Sequence, residues 1–136
     1  MDLQELVQII ESGQHGVPFD LKLQEDELAR FAGEKIGGLA HDISVEISPL
    51  SVKVSGKTRM ALLTMDVEIV GVPSLTDGNL GFDIVSVGIK GRPAPDFMRT
   101  QIVNAINDKL SPSQVPVKIT RFDLGEGWVQ VAGETK

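Results

Sequence analysis

The sequence predicts an α+β fold: a strongly curved antiparallel sheet wrapping one or two long amphipathic helices, with a short N-terminal helix ahead of it. Three observations carry this. Alternating apolar and polar residues dominate the chain, as half-buried strands require. Two segments, 24–36 and 96–110, switch to the 3.6-residue period of an amphipathic helix. Between residues 80 and 90 the apolar alternation changes phase, which a regular strand cannot do while keeping one face buried.

Taken in chain order, residues 1–16 read as an N-terminal helix with its linker and 17–136 as a single domain. Asp2 and Glu5 stand at capping-box spacing ahead of Leu3, Leu6, Val7 and Ile10, and Gly13 is placed to terminate that helix. The helix carries acid and no Lys or Arg, so docking on the core is expected rather than a membrane surface. Phe19, Leu21 and Leu23 alternate with Asp20 and Lys22 as a strand. Leu28, Phe31, Ala32 and Ile36 then share one helical face, and Glu25-Asp26-Glu27 fill the first turn, where the helix dipole favours acids. Gly37-Gly38 ends the helix.

Two strands follow, Ile43/Val45/Ile47 and Leu50/Val52/Val54, with Pro49 between them. A long strand is expected over 59–71. Ala61, Leu63, Met65, Val67 and Ile69 lie on one face of it, while the other face begins apolar at Met60 and Leu62. Residues 71–79, with Pro73 and Asp77-Gly78, read as a loop. In the strand 80–90, Leu80, Phe82 and Ile84 are even-numbered, whereas Val85, Val87 and Ile89 are odd. The strand therefore either bulges or crosses between environments, and a strongly curved sheet is expected. Pro93 and Pro95 open the second helix. Phe97, Met98, Ile102, Val103, Ile106 and Leu110 give it a broad apolar face, and Ser111-Pro112 stops it. Two strands around Val115/Val117/Ile119 and Trp128/Val129/Val131 close the chain.

Composition limits the chemistry. The chain has 136 residues, no Cys, no Tyr and two His, which removes thiol catalysis, disulfides, thiolate zinc sites and tyrosine acid chemistry. The formal charge of −6 and the scattered Lys and Arg argue against nucleic acid and against strong electrostatic attachment to anionic lipid. No apolar run approaches the roughly 18 residues of a membrane span. The start, Met1 to Glu5, is acidic and amphipathic rather than a secretory signal. His15 and His41 have no second His or Cys at metal spacing, and no serine sits in a nucleophile elbow. The acids of 25–27 read as a solvated helix N-terminus, not as paired catalytic carboxylates. A helix-in-sheet thioesterase would need a base such as Glu27 or Asp96. It ranks below binding and interaction roles, so no enzyme activity, cofactor or metal is expected.

The chain also hints at an internal repeat of helix, strand, turn, strand. Val45-Glu46-Ile47-Ser48 precedes Val52-Lys53-Val54-Ser55-Gly56, and Val117-Lys118-Ile119-Thr120 precedes Val129-Gln130-Val131-Ala132-Gly133. Both units read V-x-I-[ST] and then V-x-V-x-G.

Set in order, these features resemble a known family. A strand leads into an acidic helix (Phe19–Ile36) and a hairpin ending V-x-V-x-G. A long strand, an Asp77-Gly78-x-Leu80-x-Phe82 strand, a Pro-initiated helix (Pro93–Leu110) and a second V-x-V-x-G hairpin follow. The order is similar to that of the LmeA-like phospholipid-binding family of exported bacterial proteins, related to the tubular lipid-binding superfamily, over about residues 17–135. The resemblance implies a helix cradled in a coiled sheet, an apolar crevice for acyl chains, and export or membrane association with peripheral membrane contact. Such a crevice needs surplus apolar surface and polar groups at its mouth. Phe31, Met60, Leu62, Met65, Phe97, Met98 and Ile102 are the candidate lining, with Arg92 and Arg99 at the mouth. The alternative is a structural or protein-interaction module with a filled core, using an exposed sheet edge or helix 2–12 as its contact. Ligand identity and oligomeric state are not encoded in these patterns.

Overall fold

The computed structural model describes residues 2–36, 40–60, 63–109, 111 and 115–136, and of residues 35, 36, 60 and 109 the backbone alone. These residues form helices α1 (Leu3–Glu11), α2 (Glu25–Ile36) and α3 (Asp96–Lys109). The strands are β1 (Pro18–Gln24), β2 (Ala40–Ile47), β3 (Val52–Met60), β4 (Leu63–Thr76), β5 (Asn79–Ile89), β6 (Arg92–Pro93), β7 (Val117–Gly125) and β8 (Trp128–Thr135). The fold is α+β, and its strands pair antiparallel throughout.

Two sheets take the place of the single one expected. One has the order β1-β8-β7, the other β2-β3-β4-β5-β6. One end of the outer edge of β5 is taken by its own continuation. Beyond the turn at Lys90-Gly91 the chain folds back on that edge as β6 and runs on into α3. The C-terminal hairpin pairs with β1, through Leu21↔Val131 and Leu23↔Val129.

The expected capping at the N-terminus is present: the Asp2 carboxylate accepts the Glu5 N–H at 2.8 Å. α1 places Leu6 in a core with Phe19, Leu21, Leu23 and Val129 from the small sheet and Val45 and Ile47 from β2. Ile47 is the junction of the two sheets. Its carbonyl accepts the N–H of Gly127 at 2.9 Å, and its own N–H donates to the Glu25 carboxylate at 2.6 Å. Removing that acceptor leaves a part-buried N–H unpaired, so Glu25→Ala is expected to cost about 1–3 kcal/mol. Urea denaturation checks this; an unchanged midpoint would show the contact to be dispensable.

Strand β4 departs most from expectation. It runs through Pro73 to Thr76, and the turn shrinks to Asp77-Gly78, both at positive φ as a type I′ hairpin needs. Proline fits because β3 begins pairing at Val52↔Gly71, so β4 has no neighbour on that side beyond Gly71. On the other side Pro73 sits opposite Phe82 in a pair that exchanges no hydrogen bonds. Met60, expected in the long strand, instead ends β3 opposite Leu63.

Of the two ways to change phase in β5, the structure takes the bulge. Register passes from Gly71↔Ile84 to Val70↔Ser86, leaving Val85 as the extra residue, and Val85 is exposed. The phase change thereby keeps Leu80, Phe82, Ile84, Val87 and Ile89 on one face.

Both candidate repeats are helix–hairpin units, and they share a finer feature. Gly56 faces the bulge of β2 between His41 and Ser44; Gly133 pairs with Ile119 at the bulge of β7 between Ile119 and Arg121. Their helices differ in placement: α2 packs on its own hairpin at β2, whereas α3 packs on β5.

Candidate functional site

The five-stranded sheet has two unlike faces. Directly opposed residues in an antiparallel ladder share a face. Val45 and Ile47 on β2, Val52 and Val54 on β3, Leu63, Met65, Val67 and Ile69 on β4, and Leu80 to Ile89 on β5 therefore form one apolar surface. The opposite face is charged: Lys53 pairs with Glu68 at 3.4 Å and Glu46 at 3.9 Å. Cover on the apolar face is uneven. The small sheet and α1 bury its Val45–Ile47 corner, α2 packs on β2, and α3 packs on β5. Between the helices, Met65, Val67 and Ile69 stay half-buried, and Leu63 at the β4 start is 58% exposed. The result is an incompletely covered apolar strip over the middle of the sheet, called the trough below. None of the three clefts described next enters it from the apolar side.

The predicted site residues scatter around this trough. Met65 lies in it. Met60 shares the face by register with Leu63, although its side chain lies outside the described residues, as do Leu62, Ala61, Gly37, Gly38, Leu110 and Pro112. Phe31 is elsewhere, lining a cleft of about 790 Å³ between α1 and α2 with Leu3, Val7, Arg30 and Glu34. Arg92 lines a cleft of about 460 Å³ with Lys57, Asp66 and Glu68 of the charged face. Arg99 lines a third, of about 350 Å³, between α3 and β5. No two of the nine predicted residues line the same one of these three clefts.

On α3, Met98, Ile102, Val103 and Ile106 are half-buried as expected, while Phe97, at the margin of that face, is 67% exposed. The docking is shallow: α3 packs chiefly on β5 and leaves the margin of its apolar face at Phe97 to solvent.

The predicted lining left out Leu63, Val67 and Ile69, which share this strip with Met65. The alternation that marks the strands also marks this face, but it does not say which part the helices leave open. The loop histidines resolve simply. His15 Nδ1 meets the backbone carbonyl of Lys136, beside Thr135, whose buried hydroxyl donates to Gln14 O at 2.9 Å and accepts the Val17 N–H at 3.0 Å. His41 lies on β2 opposite Lys57. Arg121, exposed on β7, donates from Nε to Asp123 at 2.7 Å, and that hydrogen bond with the aspartate's charge raises its pKa.

Among the described residues, no group of three or more His, Cys, Asp or Glu is placed to hold a metal ion. Among the same residues, no helix is long and apolar enough to cross a membrane. Comparison with protein families, with curated proteins and with solved structures finds no match to this chain.

Proposed function

We propose that the protein binds a lipid acyl chain or another elongated apolar ligand, without catalysis, in a crevice between its helices and the five-stranded sheet. The single observation that supports this is the strip of strand β4, whose Leu63, Met65, Val67 and Ile69 share the apolar face and stay exposed or half-buried although the core beside them is closed. Apolar side chains aligned along strands and left partly open are surplus to folding, and such surplus characteristically marks a contact surface. The resemblance to the LmeA-like family points the same way.

In this reading the sheet curves around the guest, the Val85 bulge contributing local bend. Leu63 stands at the entrance. Met65 supplies an adaptable, polarizable contact suited to a ligand of irregular shape. Affinity comes from apolar area removed from water, roughly 25 cal/mol per Å². Contact with a membrane surface would deliver the ligand.

Organic extracts of the purified protein, read by mass spectrometry, are expected to contain lipid. The fluorescent fatty acid cis-parinarate is expected to bind and to be displaced by unlabelled fatty acid. Leu63→Glu and Met65→Glu should each weaken that binding about tenfold while leaving the circular dichroism spectrum unchanged. An extract free of lipid, together with no parinarate binding, would overturn the assignment.

A further inference from the structure

The outer edge of β5 is only partly covered. In a two-residue hairpin the residues flanking the turn form a hydrogen-bonded pair, here Thr76 and Asn79, and such pairs then alternate along the ladder. Ser74/Gly81 and Val72/Asp83 are therefore bonded across β4–β5. Leu80, Phe82 and Ile84 turn their N–H and C=O groups the other way. Beyond the Val85 bulge the outward-facing residues become Val87 and Ile89. Both are covered: Ile89 pairs with Arg92 of β6, and the Val87 carbonyl accepts the Ala94 N–H at 2.9 Å. Among the described residues, backbone pairing along this edge stops at Ala94. β7 meets the far end of the hairpin, the Ile119 N–H donating to the Gly78 carbonyl at 3.0 Å. The outward groups of Leu80, Phe82 and Ile84 have no hydrogen-bond partner among the described residues.

The cleft of about 350 Å³ lies against this open stretch. Three consecutive strand residues, Phe82, Asp83 and Ile84, form one wall, although their side chains alternate between the two faces; this places the cleft at the edge itself. The other wall is α3, with Arg99, Val103 and Asn104 among its residues.

We propose that an extended peptide adds a strand to β5 in this cleft, continuing the ladder that β6 begins. Backbone donors and acceptors repeating at every second residue along an edge are complementary to another extended backbone. The strand–helix groove gives the peptide a second wall. Its residues opposite Leu80, Phe82 and Ile84 share their apolar face. The intervening residues fall beside Asp83 with Arg99 on the cleft's other wall, where polar or charged side chains are favoured. The ligand is thus an extended segment of alternating apolar and polar or charged residues. This site is independent of the trough and of what binds there.

The test uses the full chain and an acetylated, amidated Val-Lys-Val-Lys-Val peptide, with a shuffled Lys-Lys-Val-Val-Val peptide as control. Amide hydrogen exchange followed by nuclear magnetic resonance is expected to be fast at Leu80, Phe82 and Ile84 in the free protein. It should slow about tenfold with saturating alternating peptide and stay fast with the shuffled one. Leu80→Pro removes one outward donor without touching the β4 ladder and should weaken binding about tenfold; Leu80→Val should stay within about threefold. No slowing with peptide, or equal slowing by both peptides, would overturn the proposal. So would concentration-dependent protection without peptide, since a second copy of the chain would then be the occupant. The exchange measurement on the unaltered protein decides the matter even if Leu80→Pro fails to fold.

Discussion

Gly133→Ala is expected to lower stability by about 3 kcal/mol, while Gly56→Ala, at the matching position of the other hairpin, shifts it by less than about 1 kcal/mol. The two glycines end the same V-x-V-x-G pattern and both face a bulge, so sequence alone would rank them equally. What separates them is the space beside each. A methyl group on Gly133 would lie 2.0 Å from the Lys118 carbonyl oxygen and 3.0 Å from the Ile119 Cα, both backbone atoms held in the ladder. Neither can move without breaking the pairing of β7 with β8. A methyl group on Gly56 would meet the Ile43 Cγ1 at 3.4 Å and the His41 carbonyl at 3.5 Å, which is ordinary contact. There alanine also gains from its lower conformational entropy in the unfolded chain. Urea denaturation of the two variants at constant m-value measures the contrast. Equal midpoints would mean that the β7 bulge relaxes freely and that the tight approach at Gly133 has no energetic weight.

The second large effect is expected at Leu21, which is 3% exposed, the most deeply buried apolar side chain of the core. It lies at the centre of β1, opposite Val131, in the cluster that joins Leu6 of α1 to Val45 and Ile47 of the larger sheet. Three elements meet on it, so a cavity there cannot close by moving one of them alone. Leu21→Ala should cost about 2–5 kcal/mol. Against a typical domain stability of roughly 5–15 kcal/mol, that is enough to leave the variant marginal. Leu50→Ala is the control: Leu50 is 80% exposed in the turn between β2 and β3, and its loss should stay within about 0.5 kcal/mol. A loss at Leu21 no larger than at Leu50 would remove this cluster from the role of core.

How much of this was legible depended on whether the determining signal was local. The cap at Asp2 and the phase change in β5 were, because one is a spacing and the other a break in alternation. The reach of β4 was not. Whether a strand tolerates Pro73 depends on whether a neighbour sits beside it, and β3 stops short by two residues. The division into two sheets was hidden for a related reason: β7–β8 carries the same pattern as β2–β3, and nothing in that pattern says which strand it pairs with. The candidate site suffered most. Phe97 has the composition of a core residue and points to solvent, because α3 docks shallowly on β5 and leaves that margin of its apolar face open. Arg92 and Arg99 lie seven residues apart in sequence, yet they line different clefts.

The single tryptophan sits where the two sheets join. Trp128 lies across Gly125, where an added methyl group would fall 2.0 Å from the ring, and Lys22 Nζ stands 4.7 Å from the ring centre. One residue away, Gly127 holds Ile47. With no tyrosine in the chain, ultraviolet emission beyond phenylalanine's arises from this one place. The protein therefore carries a built-in optical gauge of its own seam. Loosening of the small sheet is expected to shift its emission to the red, whereas events at the trough or the β5 edge, neither of which contains the fluorophore, leave it unchanged. Ligand occupancy and seam opening can thus be followed as separate signals in the same cuvette.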